Sequence, residues 1–344
     1  YMGTGFYNSK SLITVRLLTH RQEEITDELI ASRVKAACDY RRFVMNRPGT
    51  DSCRLIYGEA DRLPGVIADR FGGVIVLQVL ALGMERFTQT IADALLACEK
   101  PDCLLLQNDD AIRRKEGMEC FTRVLYGTLP EENIIHENGV KLAVDVLGGQ
   151  KTGYFLDQKD NHLFVRQFCK DARVLDCFSY IGAFALNAAA AGAKEVTAVD
   201  ISEAAVQLIE KNAALNGADI TAVCANCFDF LRAQVKAGEK YDVVVLDPPA
   251  FTKAHANMAS ACRGYKEIAL SAMRLLPAGG VLATHSCSYH MPEEVFVNTV
   301  LSAAQDLHRQ VRVITLRRQD IDHPVLAGYP ESHYLKSLWL QMLD

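Results

Sequence analysis

The pattern of apolar and polar positions predicts a small α+β unit in the first part of the chain. Residues 1–20 alternate between apolar and polar side chains, which predicts strand. Apolar residues recur at helical spacing over 26–46 and Pro48 follows, so a helix is predicted there. Further strands are predicted at 53–57, 65–70, 73–80 and 103–107, with an amphipathic helix at 84–99.

The remainder of the chain begins with a predicted hairpin and continues as alternating strands and helices. Asn138-Gly139 separates strand-like runs at 134–137 and 140–146, which predicts a two-residue β-turn. We interpret this hairpin either as a contact between two copies in a homodimer or as a lid. Parallel strands covered on both faces are typically unbroken apolar runs such as 243–246. Strands are predicted at 173–178, 195–200, 220–224, 241–247, 279–286 and 311–316, which indicates a doubly wound α/β domain.

Composition and charge are those of a globular protein and exclude several other classes. The chain has 344 residues, of which 49% are hydrophobic and 23% charged, enough for two or three domains. The longest apolar stretch, 74–84, is too short to span a bilayer, so no membrane partner is predicted. A net charge of −5 argues against a protein that coats nucleic acid. This net charge does not exclude a local basic surface around Arg113, Arg114 and Lys115.

The cysteines indicate a reducing, cytoplasmic environment. There are 11, an odd number, and they are scattered. Cys224 and Cys227 form the one close pair, but no second pair of metal-ligand spacing accompanies them. We interpret both as ordinary buried thiols and predict no metal site.

Carboxylates follow several predicted strands at the edge where open α/β sheets bind ligands. The loop after the first strand contains Asp176 but lacks the three-glycine spacing of dinucleotide sites. Asp200 ends the second strand, where a carboxylate accepts hydrogen bonds from ribose hydroxyls, and Asp229 can accept from an adenine amino group. Carboxylates repel ATP but attract the positive groups of S-adenosylmethionine, which is the predicted cofactor. The alternative is that these residues only cap helices.

The fourth strand ends in a sequence that resembles the fourth motif of class I methyltransferases acting on nucleobases. It reads Asp247-Pro248-Pro249-Ala250, and Phe251 follows. In enzymes that methylate exocyclic amines, an aromatic residue usually stands directly after the prolines and stacks on the base. Ala250 occupies that position here, which argues against amino methylation. A catalytic residue for another reaction is therefore expected at the fifth strand.

Cys287 lies at the carboxyl end of the fifth strand. Neighbouring strands are about 4.8 Å apart, so Cys287 and Asp247 are expected at the same crevice. A thiolate that attacks C6 of a pyrimidine makes C5 nucleophilic enough to accept a methyl group. We therefore predict Cys287 as nucleophile and Asp247 as the group that holds the N3/N4 edge of the ring. The alternative is that Cys287 is a small buried hydrophobic residue.

Longer motifs identify a family. The chain resembles the bacterial 23S rRNA large-subunit cytosine-C5 methyltransferases of the RlmI type over nearly its whole length. The stretch Gly148-Gly149-Gln150-Lys151-Thr152-Gly153-Tyr154-Phe155-Leu156-Asp157-Gln158 is the most specific part of this resemblance. The remaining matches are the loop 176–182 and the segments 247–249, 263–266, 286–288 and 322–324.

The resemblance implies an architecture and a set of site residues. Residues 1–20 would be the remnant of a PUA β-barrel, 21–130 a central α+β domain on the RNA side, and 131–344 a Rossmann-like domain with a mostly parallel seven-stranded sheet. Cys287 and Asp247 would be catalytic. Cofactor binding would fall to Phe155, Gln158, Asp176, Phe178, Ser179, Tyr180, Gly182, Asp200, Ile201, Asn226, Asp229, Asp247 and Pro248. Substrate binding would fall to Pro249, Phe251, Arg263 and Lys266, although the last two fit a helix-surface role equally well.

The predicted partner is large-subunit ribosomal RNA, but the sequence leaves alternatives open. Uracil C5, another RNA, or base methylation without a covalent step are alternatives within the same class. A catalytically silent RNA-binding or ribosome-assembly factor is an alternative of another class. The presence of Cys287, Asp247 and Asp200 argues against it. The group that accepts the C5 proton is not identified.

Overall fold

The computed structural model describes residues 1–251 and 257–344, and it divides into two compact units. The first unit comprises Tyr1–Gly139, Ala143–Leu156 and Ile321–Ser332, and the second comprises Val140–Leu142, Asp157–Asp320 and His333–Asp344. The boundaries expected near residues 20 and 130 stay predictions.

The first unit contains a five-stranded sheet with helices packed on it. Its elements are β1 (Thr4–Tyr7), β2 (Val15–Thr19), α1 (Asp27–Val44), β3 (Ser52–Tyr57), β4 (Val66–Phe71), β5 (Val74–Val79), α2 (Leu82–Glu85), α3 (Thr88–Glu99), β6 (Cys103–Asn108), α4 (Ile112–Glu116), β7 (Phe121–Gly127) and β8 (Asn133–Glu137). The sheet order is β3-β4-β5-β6-β7, in which β5 and β6 are parallel and the other neighbours antiparallel. β1 and β2 form a separate antiparallel pair.

Helix α1 confirms the helical pattern predicted for 26–46. Its N-cap is Thr26, whose hydroxyl accepts a hydrogen bond from the backbone N–H of Leu29 at 3.3 Å. Ile30, Val34 and Ala37 recur at helical spacing and are buried in the core of the first unit. The cap and the apolar stripe together explain why this segment is helical.

The predicted Asn-Gly hairpin is confirmed. β8 pairs with β9 (Val140–Val144). Asn138 and Gly139 adopt φ values of 54° and 80°, the left-handed conformation that a two-residue turn of this kind requires at both positions. Its interpretations as a dimer contact or as a lid stay predictions.

The second unit is built on a seven-stranded sheet of order β12-β11-β10-β13-β14-β16-β15. Its strands are β10 (Arg173–Cys177), β11 (Glu195–Asp200), β12 (Thr221–Cys224), β13 (Val243–Leu246), β14 (Val281–Ser286), β15 (Val311–Arg317) and β16 (Lys336–Met342). Its helices are α5 (Lys159–Val165), α6 (Ala183–Ala190), α7 (Glu203–Asn216), α8 (Cys227–Ala237), α9 (Met258–Leu275) and α10 (Glu293–Asp306). Only β16 runs against its neighbours among the described strands of this sheet. The predicted Rossmann-like, mostly parallel sheet is thus confirmed.

Both faces of this sheet are covered by helices. On one face, Val174, Val245 and Ala283 pack in a cluster with residues of α5, α6 and α7. On the other face, Leu246 and Leu338 pack in a cluster with residues of α8, α9 and α10. Burial on both sides explains the unbroken apolar run at β13.

The structure corrects three expectations. The helix predicted at 84–99 is interrupted between α2 and α3, where the Thr88 hydroxyl donates to the carbonyl of Glu85 at 2.7 Å. Cys224, which was expected to be a buried thiol, is exposed, whereas Cys227 is buried as expected. The sequence pattern also does not predict β7 and β16. The prediction of a basic surface around residue 113 is wrong for Arg113. Its side chain is 0% exposed, and its guanidinium lies 2.6 Å from the carboxylate of Glu85.

Short 3-10 turns also occur within the described part of the chain. Single 3-10 turns lie at Gly58–Asp61, Leu156–Gln158, Arg166–Phe168 and Pro330–Ser332. Within residues 1–251 and 257–344, no helix has the length and apolar character needed to cross a bilayer.

Candidate active site

The candidate site lies along the carboxyl ends of β10, β11, β13 and β14. Cys177 at the end of β10 is in register with Leu246 at the end of β13, and Leu246 is in register with Thr284 on β14. Asp247 directly follows β13, and Cys287 directly follows β14. The register therefore brings the two predicted catalytic residues to one edge of the sheet, on adjacent parallel strands.

Asp176 is the most deeply buried carboxylate at this edge. It is 0% exposed, and its Oδ2 accepts hydrogen bonds from Ser179 Oγ at 2.5 Å and from the N–H of Ala185 at 3.1 Å. Burial raises the pKa of Asp176 to about 7, and the nearby charge of Asp247 acts in the same direction. Oδ1 is buried and has no hydrogen-bond partner among the described residues. A buried oxygen of this kind fits a ligand that donates a hydrogen bond or carries positive charge.

The loop after β10 is held in a strained conformation. Phe178 and Tyr180 have φ values of 62° and 51°, in the left-handed region that non-glycine residues seldom adopt. The N–H of Ser179 donates to the carbonyl of Val199 at 3.0 Å, which fixes the loop against β11. Such strain persists only where surrounding contacts over-determine the backbone, and it is concentrated at ligand sites.

Asp200 joins this loop to the end of β11. Its Oδ2 accepts from the N–H of Tyr180 at 2.9 Å, and its Oδ1 accepts from the N–H of Ser202 at 2.9 Å. Each carboxylate oxygen has a second lone pair, so both can accept a further hydrogen bond from a ligand hydroxyl. Ile201, the next residue, is 68% exposed.

Asn226 and Asp229 have local partners at the start of α8. The side-chain oxygen of Asn226 accepts from the N–H groups of Phe228 at 2.9 Å and Asp229 at 3.4 Å, which makes Asn226 the N-cap of the helix. Asp229 is 70% exposed and forms an ion pair with Arg232. The cap and the ion pair give both residues local structural roles, and the cofactor-binding roles of both residues stay predictions.

Gln158 orients the carboxylate of Asp247. Its Nε2 donates to Asp247 Oδ2 at 3.0 Å, and its Oε1 accepts from Asn161 Nδ2 at 2.6 Å. The N–H of Asp247 also donates to the carbonyl of Cys177 at 3.3 Å. These bonds hold the residue in place from both its side chain and its backbone.

Cys287 follows β14 directly and is partly exposed. The preceding residue, Ser286, is hydrogen-bonded through its hydroxyl to Tyr265 Oη at 2.9 Å. Burial raises the pKa of the Tyr265 hydroxyl, and the charges of Cys287 and Asp247 both act in the same direction. The hydroxyl of Tyr265 on α9 is thus hydrogen-bonded to the residue next to Cys287.

The predicted substrate residues differ in exposure and in the contacts that their side chains make. Pro249 and Arg263 are exposed. The ring of Phe251 packs between Phe228 and Tyr265, at centroid distances of 5.8 Å and 4.7 Å. Lys266 forms an ion pair with Asp306 at 2.8 Å.

Three further predicted cofactor residues remain to be placed. Gly182 directly precedes α6 and has a φ of 87°, a left-handed conformation that glycine adopts readily. Pro248 is buried next to Asp247. Phe155 belongs to the first unit, where Lys151 Nζ lies 4.3 Å from its ring centroid. The role of Phe155 at the cofactor stays a prediction.

Sequence reasoning missed Lys336. This lysine begins β16, is 3% exposed and donates from Nζ to the carbonyl of Ser288 at 2.6 Å. The available signal was a lone lysine in the otherwise mostly apolar stretch 335–340. It was missed because β16 itself was not predicted.

Comparisons with known proteins agree with this geometry. The S-adenosylmethionine-dependent methyltransferase family matches residues 75–319. Proteins named ribosomal RNA large subunit methyltransferase I are similar along 98% of the chain: one from Klebsiella pneumoniae (strain 342) is 43% identical over 85% of its own length, and one from Enterobacter sp. (strain 638) is 42% identical over 86%.

Solved structures share the fold. A protein from Streptococcus mutans described as a SAM-dependent methyltransferase has a TM-score of 0.85 at 20% identity, covering 99% of this chain and 88% of that one. A methyltransferase structure complexed with SAH has a TM-score of 0.86 with the same identity and coverage. Trm5b from Pyrococcus abyssi has a TM-score of 0.59 at 16% identity, over 80% of this chain and 75% of that one.

The cofactor of this family fits the residues at the sheet edge. S-adenosylmethionine carries an ammonium and a sulfonium, and the unpartnered Oδ1 of Asp176 is an acceptor suited to the ammonium. Asp200, with lone pairs to spare, is suited to ribose hydroxyls. The chain belongs to the S-adenosylmethionine-dependent methyltransferase family, together with the relatives named ribosomal RNA large subunit methyltransferase I.

Proposed function

We propose that this chain methylates C5 of a cytosine in large-subunit ribosomal RNA through a covalent bond between Cys287 and C6 of the base. The RNA class is taken from the names of the relatives. Because that substrate belongs to the ribosome, we also propose the cytoplasm as the compartment. The single observation that carries the chemistry is that Asp247 and Cys287 directly follow the adjacent parallel strands β13 and β14.

The cofactor supplies an electrophilic methyl group on a positively charged sulfur. In this proposal Asp176 accepts a hydrogen bond from its ammonium group and Asp200 from its ribose. Asn226 and Asp229 would lie at the adenine while keeping their roles at the start of α8. The hydrogen bonds from the N–H groups of Ser179 and Tyr180 to β11 hold the strained loop between these carboxylates in one conformation.

The covalent step compensates for the poor nucleophilicity of C5. The thiolate of Cys287 forms a bond to C6, and the electron pair of the C5–C6 double bond becomes available at C5. Asp247, held by Gln158, hydrogen-bonds the N3/N4 edge of the ring and stabilises the activated base. After C5 has gained the methyl group, it loses its proton to a base, the C5–C6 double bond re-forms and the Cys287–C6 bond breaks.

Two observations favour a reaction at pyrimidine C5 over amino methylation and over a purely structural role of Cys287. Ala250 stands where amino methyltransferases usually have an aromatic residue, which argues against methylation of an exocyclic amine. Cys287 is partly exposed, as a nucleophile must be, whereas a purely structural cysteine at a sheet end is usually buried. Uracil C5 remains the alternative that uses the same residues, and a silent RNA-binding factor would need none of them.

The direct test is to incubate the purified chain with S-adenosylmethionine and protein-free 23S rRNA, digest the RNA to nucleosides and identify the product by mass spectrometry. We expect 5-methylcytidine with the wild type and none with Cys287→Ala. Cys262→Ala, a partly exposed cysteine on α9, is the matched control and should retain activity. 5-Methyluridine would establish the alternative base, and full activity of Cys287→Ala would exclude the covalent route.

A further inference from the structure

A buried lysine holds the backbone on both sides of the proposed nucleophile. Lys336, the first residue of β16, is in register with Ser286, the residue before Cys287. Its Nζ donates to the carbonyl of Ser288, the residue after Cys287, at 2.6 Å. With 3% of its surface exposed, the ammonium is shielded from water, so its charge acts strongly on its neighbours.

The charges around Lys336 single out Cys287 as its main attractive partner. Burial lowers the pKa of Lys336 to about 8, while Cys287 and, to a lesser extent, Glu293 raise it. Glu293 at the start of α10 also lies 3.9 Å from Arg318 and 3.8 Å from His333. Burial lowers the pKa of His333, and the charges of Arg318 and Lys336 add to this. The carboxylate of Glu293 is therefore shared between Arg318 and Lys336. Cys287, in contrast, directly precedes Ser288, whose carbonyl Lys336 already binds.

We propose that the ammonium group of Lys336 stabilises Cys287 as a thiolate, which makes Lys336 a positioning residue for the covalent step. Its use in catalysis rests on the proposed function, but the ion pair itself forms without RNA. As the S–H bond breaks, the proton passes to solvent and the electron pair stays on sulfur beside the ammonium. The thiolate is the nucleophilic form of cysteine, and this one lies at a strand end rather than at a helix N-terminus.

Two substitutions separate the charge of Lys336 from its hydrogen bond. Lys336→Gln keeps an N–H donor for the carbonyl of Ser288 but is neutral, whereas Lys336→Arg keeps both donor and charge. The rate at which iodoacetamide alkylates Cys287 would be measured against pH by mass spectrometry of its peptide, in the full chain without RNA. Cys120, a partly exposed cysteine in the first unit, serves as internal reference.

We expect the alkylation profile of Lys336→Gln to move up by about one pH unit, which is about a tenfold slower reaction at neutral pH. Lys336→Arg should stay close to the wild type, and Cys120 should be unaffected. The Gln variant should also lower kcat for RNA methylation while the Kd for S-adenosylmethionine is unchanged. If Lys336 only held the backbone, Lys336→Gln would leave the Cys287 profile where it is, and the proposal would be overturned.

A third variant leaves Lys336 itself intact and covers the case in which its substitutions do not fold. Glu293→Gln removes the carboxylate that competes for the ammonium, so Cys287 should be alkylated faster at neutral pH. An unchanged rate would contradict the proposal. If the alkylation profiles shift as expected but Cys287→Ala still methylates RNA, the ion pair stands and the covalent route of the proposed function fails.

Discussion

Gln158 donates a hydrogen bond from its Nε2 to Oδ2 of Asp247 at 3.0 Å. Asn161 in turn donates to Gln158 Oε1 at 2.6 Å, so the amide is fixed in one orientation. Asp247 stands at the end of the strand next to the one that carries Cys287. The amide of Gln158 therefore sets the direction of the carboxylate on which the proposed chemistry depends.

Replacing Gln158 by leucine should impair catalysis more than folding. A hydrogen bond to a charged group contributes about 1.5–3 kcal/mol, so kcat/KM should fall by about 10- to 100-fold. Gln305→Leu, an exposed position on α10, is the matched control and should leave kcat/KM unchanged. Steady-state methylation assays measure both variants. Equal activity of Gln158→Leu and the wild type would show that Asp247 does not need this partner.

Asp176 should make cofactor binding depend on pH. Its pKa is raised to about 7 by burial, and the ammonium of S-adenosylmethionine favours the ionised form. Affinity for the cofactor should therefore rise with pH through about 7 and then level off. Asp176→Asn should bind more weakly, with little dependence on pH over the same range. Titration calorimetry at several pH values measures this, and a wild-type affinity that falls as pH rises would contradict the assignment.

The same carboxyl group should have the opposite effect on stability. The folded-state pKa of Asp176 is raised from 3.8 to about 7, so between these values the folded protein binds more protons than the unfolded chain. Its contribution therefore makes the cofactor-free protein less stable as pH rises across that window. Asp176→Asn should be more stable than the wild type above about pH 7, and the difference should shrink toward about pH 4. Denaturant unfolding at both ends of the window checks the sign.

Asn226 offers a way to separate helix capping from cofactor binding. Asn226→Ala should lower the free energy of unfolding by about 1 kcal/mol because the N-cap bonds to Phe228 and Asp229 are lost. Asn226→Ser keeps a capping oxygen and should retain most of that stability. If Asn226 also contacts the cofactor, the serine variant should still lose affinity for S-adenosylmethionine. Unchanged affinity in Asn226→Ser would reduce the residue to its structural role.

Lys266 can be tested against its ion-pair partner. Exposed ion pairs contribute about 0–1 kcal/mol, so Lys266→Gln and Asp306→Asn should both have small effects on stability. If Lys266 binds RNA phosphates, Lys266→Gln alone should raise the KM for RNA and reduce its dependence on salt. Asp306→Asn, which frees the lysine, should leave that KM equal or lower. Equal KM values in both variants would favour the helix-surface alternative.

Much of the fold could be predicted because local signals and tertiary structure agree. α1 has a capping threonine and a periodic apolar face, and the hairpin turn has residues suited to left-handed φ values. β16 could not be predicted in the same way. It is buried on both faces between β14 and β15, so its residues do not show the alternation of a half-exposed strand. Its place in the sheet depends on partners far away in the chain.

The sequence predicts which strand ends form the candidate site. It does not predict which side chains form hydrogen bonds with the site residues. Asp176, Asp200 and Asp247 lie at or directly after the carboxyl ends of strands that the sequence predicts, so their common edge could be inferred. Sequence alone could not show that Gln158 donates to Asp247 or that Lys336 donates beside Cys287, because these contacts join segments separated by 89 and 48 positions. The same holds for the ion pair of Arg113 with Glu85, which joins residues 28 positions apart.

The central claim is most directly tested by trapping the Cys287–C6 bond. In 23S rRNA transcribed with 5-fluorocytidine in place of cytidine, C5 carries fluorine, which cannot leave as a proton does. Elimination is then blocked and the enzyme stays attached to the RNA. After nuclease and protease digestion, the account predicts a methylated fluorocytidine adduct on the peptide that contains Cys287, and no adduct with Cys287→Ser. Absence of any adduct, with ordinary 23S rRNA still methylated at cytosine C5 by the same preparation, would contradict it.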